Sequence, residues 1–481
     1  MTDDNLTPFL FKFMAMEQNQ LRKIPSVNII LETLKTDFPQ IPHTYLKRIT
    51  MREIEKVHHN PKSYNLDAFN KSEFETVFIK RIEKTVEKLK NGSLGKVINA
   101  TGVVLHTGLG RAPMAEGIMD SLKEVSRYTN LEIDISSGKR GQRNDHLSFL
   151  LQILSGAEDG FAVNNNAAAV MLMLNSTAKR KEVIISRGEM IEIGGSFRLP
   201  EVMKISGVKL KEIGATNKTH LKDYEEAIDK KTGAILICHT SNYEVKGFTA
   251  KPAIDKIVKL AAEHKIPVIY DMGSGALVEE HRFGHKEEPL VSELVQADVD
   301  LISFSGDKLV GGPQAGFIVG KKEWVKKCAK NHFLRALRLD KTIIKLLQVT
   351  LLNYLQGGES MKEIDSLTAI LEAQQNLKKR SLDFINSLPK SITMNLSVIE
   401  SDGKVGSGAF PLLQLPSVAI KIDTGKEYNA NHLARKFREN NVPVFGRIAN
   451  DKLLFDLRTV SQNEIPILKE AMALILGNQA V

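Results

Sequence analysis

The sequence predicts an α/β protein with a mostly parallel sheet, an N-terminal helical domain and a small C-terminal α/β domain, and three observations carry that expectation. From residue 97 to about 330, short apolar runs alternate with amphipathic segments, which is the pattern of strands joined by crossover helices. Residues 1–95 hold no glycine before Gly92 and read as helices broken by Pro25, Pro39, Pro42 and Pro61. Beyond residue 341 a long helical stretch leads into a last alternation of strand and helix. The expected domains are therefore 1–95, 96–340 and 341–481.

In the first domain the helix candidates include 26–35 and 73–90. Lys and Arg over residues 1–96 number 16 against 12 Asp and Glu, a net of +4. In the second, strands are expected at 182–186, 208–213, 234–239, 267–270, 300–304 and 316–319, with helices at 221–229 and 254–264, and this order implies a sheet covered on both faces. A further strand ends at Val163 and turns through Asn164, Asn165 and Asn166 into an alanine-rich helix, because asparagine caps helices well and alanine propagates them. The helical stretch 341–388 precedes a strand at 417–422, a helix at 431–439, strands at 442–448 and 452–457, and a final helix from Ile465.

Composition narrows the class. At 481 residues the chain can bury a large core, and about 150 residues per domain gives roughly three units. Cys238 and Cys328 are the only cysteines and lack metal-ligand neighbours, so neither a disulfide framework nor a metal site is expected and a reducing cytoplasm fits. No run reaches the 18 or so apolar residues of a membrane span, and the N-terminus lacks a secretory signature, so a soluble cytoplasmic protein is expected. The formal charge of +9 favours phosphate-bearing partners or is simply a lysine-rich surface.

Three segments carry chemistry. Lys308 follows an apolar strand through Ser305, Gly306 and Asp307 and precedes the glycine-rich run Leu309 to Gly316. A Schiff-base lysine needs such a rigid strand end with backbone close enough to hold an anionic cofactor, and pyridoxal 5'-phosphate is the candidate. The helix start at Asn165, Asn166 and Ala167 offers free backbone N–H groups and the positive end of a helix dipole to a phosphate. Asp271 ends an apolar strand before Gly273 and Gly275, at the edge where parallel sheets bind ligands, and an aspartate at a pyridine nitrogen keeps that ring an electron sink. Each alone has an ordinary reading as a solvated lysine, a helix cap or a salt-bridge carboxylate. Their combination points to a pyridoxal site.

The chain resembles the bacterial selenocysteine synthase family, L-seryl-tRNA(Sec) selenium transferase. The likeness runs from Leu21-Arg22-Lys23-Ile24-Pro25 through Val97-Ile98-Asn99-Ala100-Thr101-Gly102, Gly138-Lys139-Arg140-Gly141, the asparagine cup, Ser186-Arg187-Gly188-Glu189, His239-Thr240-Ser241-Asn242-Tyr243, the Lys308 loop, Arg335-Ala336-Leu337-Arg338 and Asp456-Leu457-Arg458. The resemblance implies a fold-type I pyridoxal-phosphate enzyme, aspartate aminotransferase-like, that converts seryl-tRNA(Sec) to selenocysteinyl-tRNA(Sec) with selenophosphate through an aminoacrylyl intermediate.

It further implies that Lys308 carries the cofactor, that Asp271 faces its ring nitrogen, that Asp307 is the acidic neighbour of the lysine, and that Asn165, Asn166, Ala167 and Ser305 belong to the cofactor site. Arg111, Arg335 and Arg338 look like the arginines that hold selenophosphate. Three residues apart on a helix-forming stretch, Arg335 and Arg338 could share one face and grip an oxyanion. The N-terminal domain is the expected tRNA reader, and a homo-oligomeric ring of dimers, a decamer, is expected. The chain departs from the family pattern at Gly108, at Asn144-Asp145 and at Glu244-Val245-Lys246. A pyridoxal β-eliminating lyase or desulfurase acting on a free amino acid or sugar acid, and a non-catalytic tRNA-binding homologue, remain as alternatives.

Overall fold

The computed structural model describes residues 21–64, 68–193, 197–239, 247–283, 288–406, 409–410, 413–423 and 429–477. The segment from Thr240 to Lys246, which carries part of the family resemblance, lies outside them. The chain divides into two compact units, Met1–Lys96 and Val97–Val481.

The first unit is built on helices α1 (Val27–Asp37), α2 (His43–His59) and α3 (Lys71–Asn91). Ser26 caps α1 by accepting from the Ile29 N–H, and α3 opens with a reciprocal box in which Asn70 accepts from Glu73 N–H (3.0 Å) while the Glu73 carboxylate accepts from Asn70 N–H (2.8 Å). These caps place both starts where a donor would otherwise be orphaned. The buried faces meet in a core of Ile30, Leu34, Leu46, Val57, Phe74, Phe78, Ile82 and Val86. Phe78 stacks on Phe74 at 5.6 Å and meets the edge of Tyr64.

The second unit contains a seven-stranded sheet. Its strands are β1 (Asp159–Val163), β2 (Glu182–Ser186), β3 (Lys209–Ile213), β4 (Thr232–Cys238), β5 (Val268–Gly273), β6 (Leu301–Ser305) and β7 (Gly316–Gly320), in the order β1-β7-β6-β5-β4-β2-β3. All neighbours are parallel except β7, which runs antiparallel to β1 and β6. The strands expected in this sheet are all present, with ends shifted by a few residues; the strand expected at 442–448 is instead two short ones, Val444–Phe445 and Arg447–Ala449, in different sheets.

Side-chain alternation sorts the strands onto two faces. Ile184, Ile235, Ile237, Ile302 and Phe304 enter one core, while Val183, Ile185, Leu236, Ile269 and Leu301 enter the other, beside the helix Asn166–Ala178. Asp271, two residues after Ile269, falls on that helix's side. Both faces are covered, as nearly continuous apolar strands require.

Two expectations need correction. The stretch 341–388 is not one helix: it runs Lys341–Gln356, breaks at Gly357 and Gly358, which adopt φ of 63° and 52°, and resumes as Asp365–Leu371 and Gln374–Asn386. Left-handed backbone cannot continue a right-handed helix, and glycine adopts it at little cost. The C-terminal sheet also contains a strand the sequence reading missed, β8 (Leu396–Lys404), which pairs antiparallel along all of β9 (Gln414–Ile422). Its half-exposed polar sequence with Asp402-Gly403 lacks the apolar run of a buried strand. With β10 (Arg447–Ala449) and β11 (Lys452–Phe455) the order is β8-β9-β11-β10.

Phe78→Ala removes the ring at the centre of the first unit's core and is expected to destabilise that unit by about 3–5 kcal/mol. Circular dichroism during chemical denaturation would show early loss of helix signal with the rest of the chain still folded.

Candidate active site

The sheet order decides which side chains meet. β1, β4, β5 and β6 all end at one edge, and the reversal at β7 pairs Gly316 with both Ser305 of β6 and Val163 of β1. The Lys308 turn, which joins β6 to β7, is thereby set beside the start of the helix that follows β1. That helix, called α4 here (Asn166–Ala178), is capped by Asn165, whose side-chain oxygen accepts from Ala168 N–H at 2.8 Å. Asn166 and Ala167 are then its first residues, with N–H groups that have no partner within the helix. Gly316 permits the approach: a Cβ there would stand 2.1 Å from the Asn165 carbonyl oxygen.

Asp271 is buried, and Asn166 Nδ2 donates to its Oδ1 at 2.8 Å while Ser303, its register partner on β6, lies 3.5 Å from the same oxygen. Burial pushes the Asp271 carboxyl up, and the Asn166 bond and the charge of Lys308 pull against that shift. Lys308 is buried as well. Burial lowers its amine below the ordinary lysine range; Asp271 and Asp307 raise it and Arg111 lowers it. A buried carboxyl and a buried amine whose desolvation drives each toward neutrality form a site prepared for a charged partner.

The turn that carries Lys308 is held by its own surroundings. Gly311 N–H returns to Lys308 O and Gly312 N–H to Gly306 O. Tyr354 reaches the carbonyl oxygens of Leu309 (3.2 Å) and Val310 (3.0 Å), and His281 Nε2 lies 3.0 Å from the same hydroxyl. His281 accepts from Leu277 N–H through Nδ1, so Nε2 carries the proton, and burial pushes its pKa down to about 3. Beside β4, His239 is pushed down to about 4 by burial first and then by Lys251 and Lys308, and its Nε2 lies 3.0 Å from a Glu288 carboxyl oxygen.

The expected arginines divide into two places within one chain. Arg111, at φ of 64°, bonds Asp307 at 2.6 Å next to the lysine turn. Arg335 and Arg338 line a separate cleft of about 430 Å³ with Glu132 and Arg143. They are not on one helix, because the helix is only Leu334–Leu337 and Arg338 leaves it with extended backbone that bridges to Val163. Asn164 N–H takes the Leu337 carbonyl and so ends the helix there. The two guanidinium groups reach one cleft nonetheless. Arg143 and Glu132 were not legible, since about 190 residues separate Arg143 from Arg335 and no local pattern marks either. Ser305 ends β6, buried, opposite Gly316.

These residues fit a pyridoxal group. Asn166 Oδ1 is buried and has no hydrogen-bond partner, the helix start offers N–H groups, and the Gly316 approach leaves backbone rather than side chain around it. The strand order, with its one reversed strand, and the lysine beyond β6 define the class as the fold-type I pyridoxal-phosphate enzymes. A solved structure of D-glucosaminate-6-phosphate ammonia-lyase shares the fold at a TM-score of 0.58 and 20% identity, covering 82% of this chain and 99% of that one. The family model L-seryl-tRNA selenium transferase matches residues 97–461. Curated L-seryl-tRNA(Sec) selenium transferases from Alkaliphilus metalliredigens and Carboxydothermus hydrogenoformans are each 42% identical, over 94% and 95% of this chain and 98% of theirs. The chain belongs to the L-seryl-tRNA selenium transferase family.

Gly316→Ala drives a methyl group into the Asn165 carbonyl and is expected to destabilise the fold by about 1–3 kcal/mol while displacing the helix start. Titration with pyridoxal phosphate, followed by visible absorbance, would show weaker binding than in the unchanged chain.

Proposed function

We propose that this chain converts L-seryl-tRNA(Sec) to L-selenocysteinyl-tRNA(Sec) with selenophosphate as donor. The observation that carries this reading is the buried Lys308 beside Asp271 and the Asn166 helix start, in a chain that aligns over nearly its whole length with relatives of that name. Among the described residues no helix is long and apolar enough to cross a membrane.

When bound, pyridoxal phosphate would supply an electron sink for the bonds at the serine Cα. Lys308 would be its attachment point, and the first N–H groups of α4, at Asn166 and Ala167 beyond the Asn165 cap, would hold its phosphate, with Ser305 at the adjoining strand end. Asp271 would hold the positive charge of the ring nitrogen. A cation set there relieves the desolvation that raises this carboxyl, and Asn166 fixes which oxygen is presented. With its amine free, Lys308 would take the Cα proton, since burial moves it toward the range in which an amine acts as a base at neutral pH. Asp307 and Arg111 neutralise one another at 2.6 Å, which keeps a second charge from competing at the amine.

The serine reaches the site as an ester, so it brings no carboxylate for an arginine. Arg335 and Arg338 are left for the anionic donor, with Arg143 beside them. Arg111, at the lysine turn, can meet the donor as it approaches Cβ.

The N-terminal unit is the tRNA reader in this scheme. On α2, Lys47, Arg48, Met51 and Arg52 form an exposed basic face with Arg48 close over the Tyr45 ring, a surface suited to phosphate and ribose. A homo-oligomer is supported by the exposed apolar side chains Tyr128, Ile133, Ile135, Phe149 and Ile153, which a lone chain would leave in water.

Selenium transfer to seryl-tRNA(Sec), with free serine as control, tests the function; turnover of free serine alone would favour the lyase reading. Borohydride trapping and peptide mapping should label Lys308. Lys308→Ala is expected to abolish transfer, and Asp271→Asn to lower it roughly 100- to 1000-fold. Lys47→Ala, Arg48→Ala and Arg52→Ala should each weaken seryl-tRNA(Sec) binding and reduce the slope of log affinity against log salt by about 1.

A further inference from the structure

The cleft of Arg335 and Arg338 is not purely basic. Glu132 enters it with one carboxylate oxygen 3.0 Å from Arg143 Nη2 and 3.7 Å from Arg338 Nη1, and the other 2.8 Å from Arg140 Nη2. Arg140 first, and then Arg143, hold this carboxyl below the usual range, so at neutral pH it is ionised and can only accept hydrogen bonds. Arg143 is anchored independently of it, through Nη1 to the Leu339 carbonyl at 2.5 Å. Arg335 has no ion-pair partner among the described residues, and Arg338 holds Glu132 only at the longest of the three distances.

An ionised carboxylate in an anion site repels every oxyanion that approaches it, except one that brings a hydrogen to donate. Sulfate has none at neutral pH. Orthophosphate, the anion of a triprotic acid, keeps at least one P–OH under the same conditions, and so can present charged oxygens to guanidinium groups and its hydroxyl to a carboxylate. Selectivity of this kind rests on leaving the site's polar group unpaired, and repelled, by the wrong ligand.

We propose that Glu132 is a specificity-determining residue of the donor site, accepting a hydrogen bond from the protonated oxygen of a phosphoryl group while Arg143, Arg335 and Arg338 take the charged oxygens. The cleft then selects protonated phosphoryl anions and rejects sulfate-type anions. The assignment rests on the reading that this cleft receives the selenium donor, and it adds the chemistry by which a phosphoryl donor is told from sulfate-type anions of the same shape.

Isothermal titration of the full-length, cofactor-loaded protein with inorganic phosphate and, separately, with sodium sulfate at matched ionic strength tests it without turnover. The unchanged chain should bind phosphate about tenfold or more tightly than sulfate. Glu132→Gln, whose amide can donate to sulfate, should tighten sulfate about tenfold and erase the preference. Glu132→Ala is the second variant, and it should erase the preference too. Equal affinities in the unchanged chain would overturn the proposal, as would a preference that survives both substitutions. So would equal weakening of both anions, which would make Glu132 only a brace for its arginines. Arg335→Ala separates the underlying reading: it should weaken both anions, and unchanged affinities for both would show that the cleft is not the donor site at all.

Discussion

Burial of one amine and one carboxyl at the same sheet edge is the constraint on which the rest of this structure depends. Neither Lys308 nor Asp271 can remain charged in that place without a partner, and each contributes to the other's charge balance. The protein does not resolve this by pairing them directly as a closed salt bridge; Asp271 takes its hydrogen bond from Asn166. What is left is a pair of groups poised for a ligand that can accept the amine at one end and present a cation to the carboxylate at the other. A pyridoxal ring has that polarity.

The reversed strand β7 supplies the geometry. Because it lies between β1 and β6 in the sheet, the turn beyond β6 and the helix beyond β1 emerge side by side, although about 140 residues separate Lys308 from Asn166 in the chain. Gly316, where β7 begins, lies against the Asn165 backbone at the helix start, and its missing side chain is what permits the contact. The turn is then fixed from behind by Tyr354, whose buried hydroxyl reaches two of its carbonyls and is itself held by His281. Fold and site are one arrangement here: moving the lysine would require breaking the sheet.

Much of this could be read from the chain. The strands of the large sheet are apolar runs with small or polar ends, and the Asn165 cap and its alanine-rich helix are local chemistry that acts over four or five residues. Asp271 could be placed because it closes an apolar run just before the glycines of a turn, at the edge where parallel sheets bind ligands. Other features were hidden for reasons just as physical. The break at Gly357 and Gly358 depends on backbone angles that a helical pattern of side chains does not report. β8 is held by its partner β9 rather than by its own apolar content. Arg338 is drawn out of its helix by a backbone contact with Val163, far away in sequence.

The sequence by itself determined the class of architecture, the lysine, the aspartate and the helix start, because each is written in residue types whose effect is local. Tertiary structure alone decided the company they keep: that Arg111 goes to Asp307, that Arg335 and Arg338 share a cleft with Arg143, and that a carboxylate from Glu132 stands among them. Pairings of charged side chains across long stretches of chain follow from strand order and loop paths. No spacing in the chain encodes them, since a guanidinium group will meet whichever carboxylate the fold carries to it.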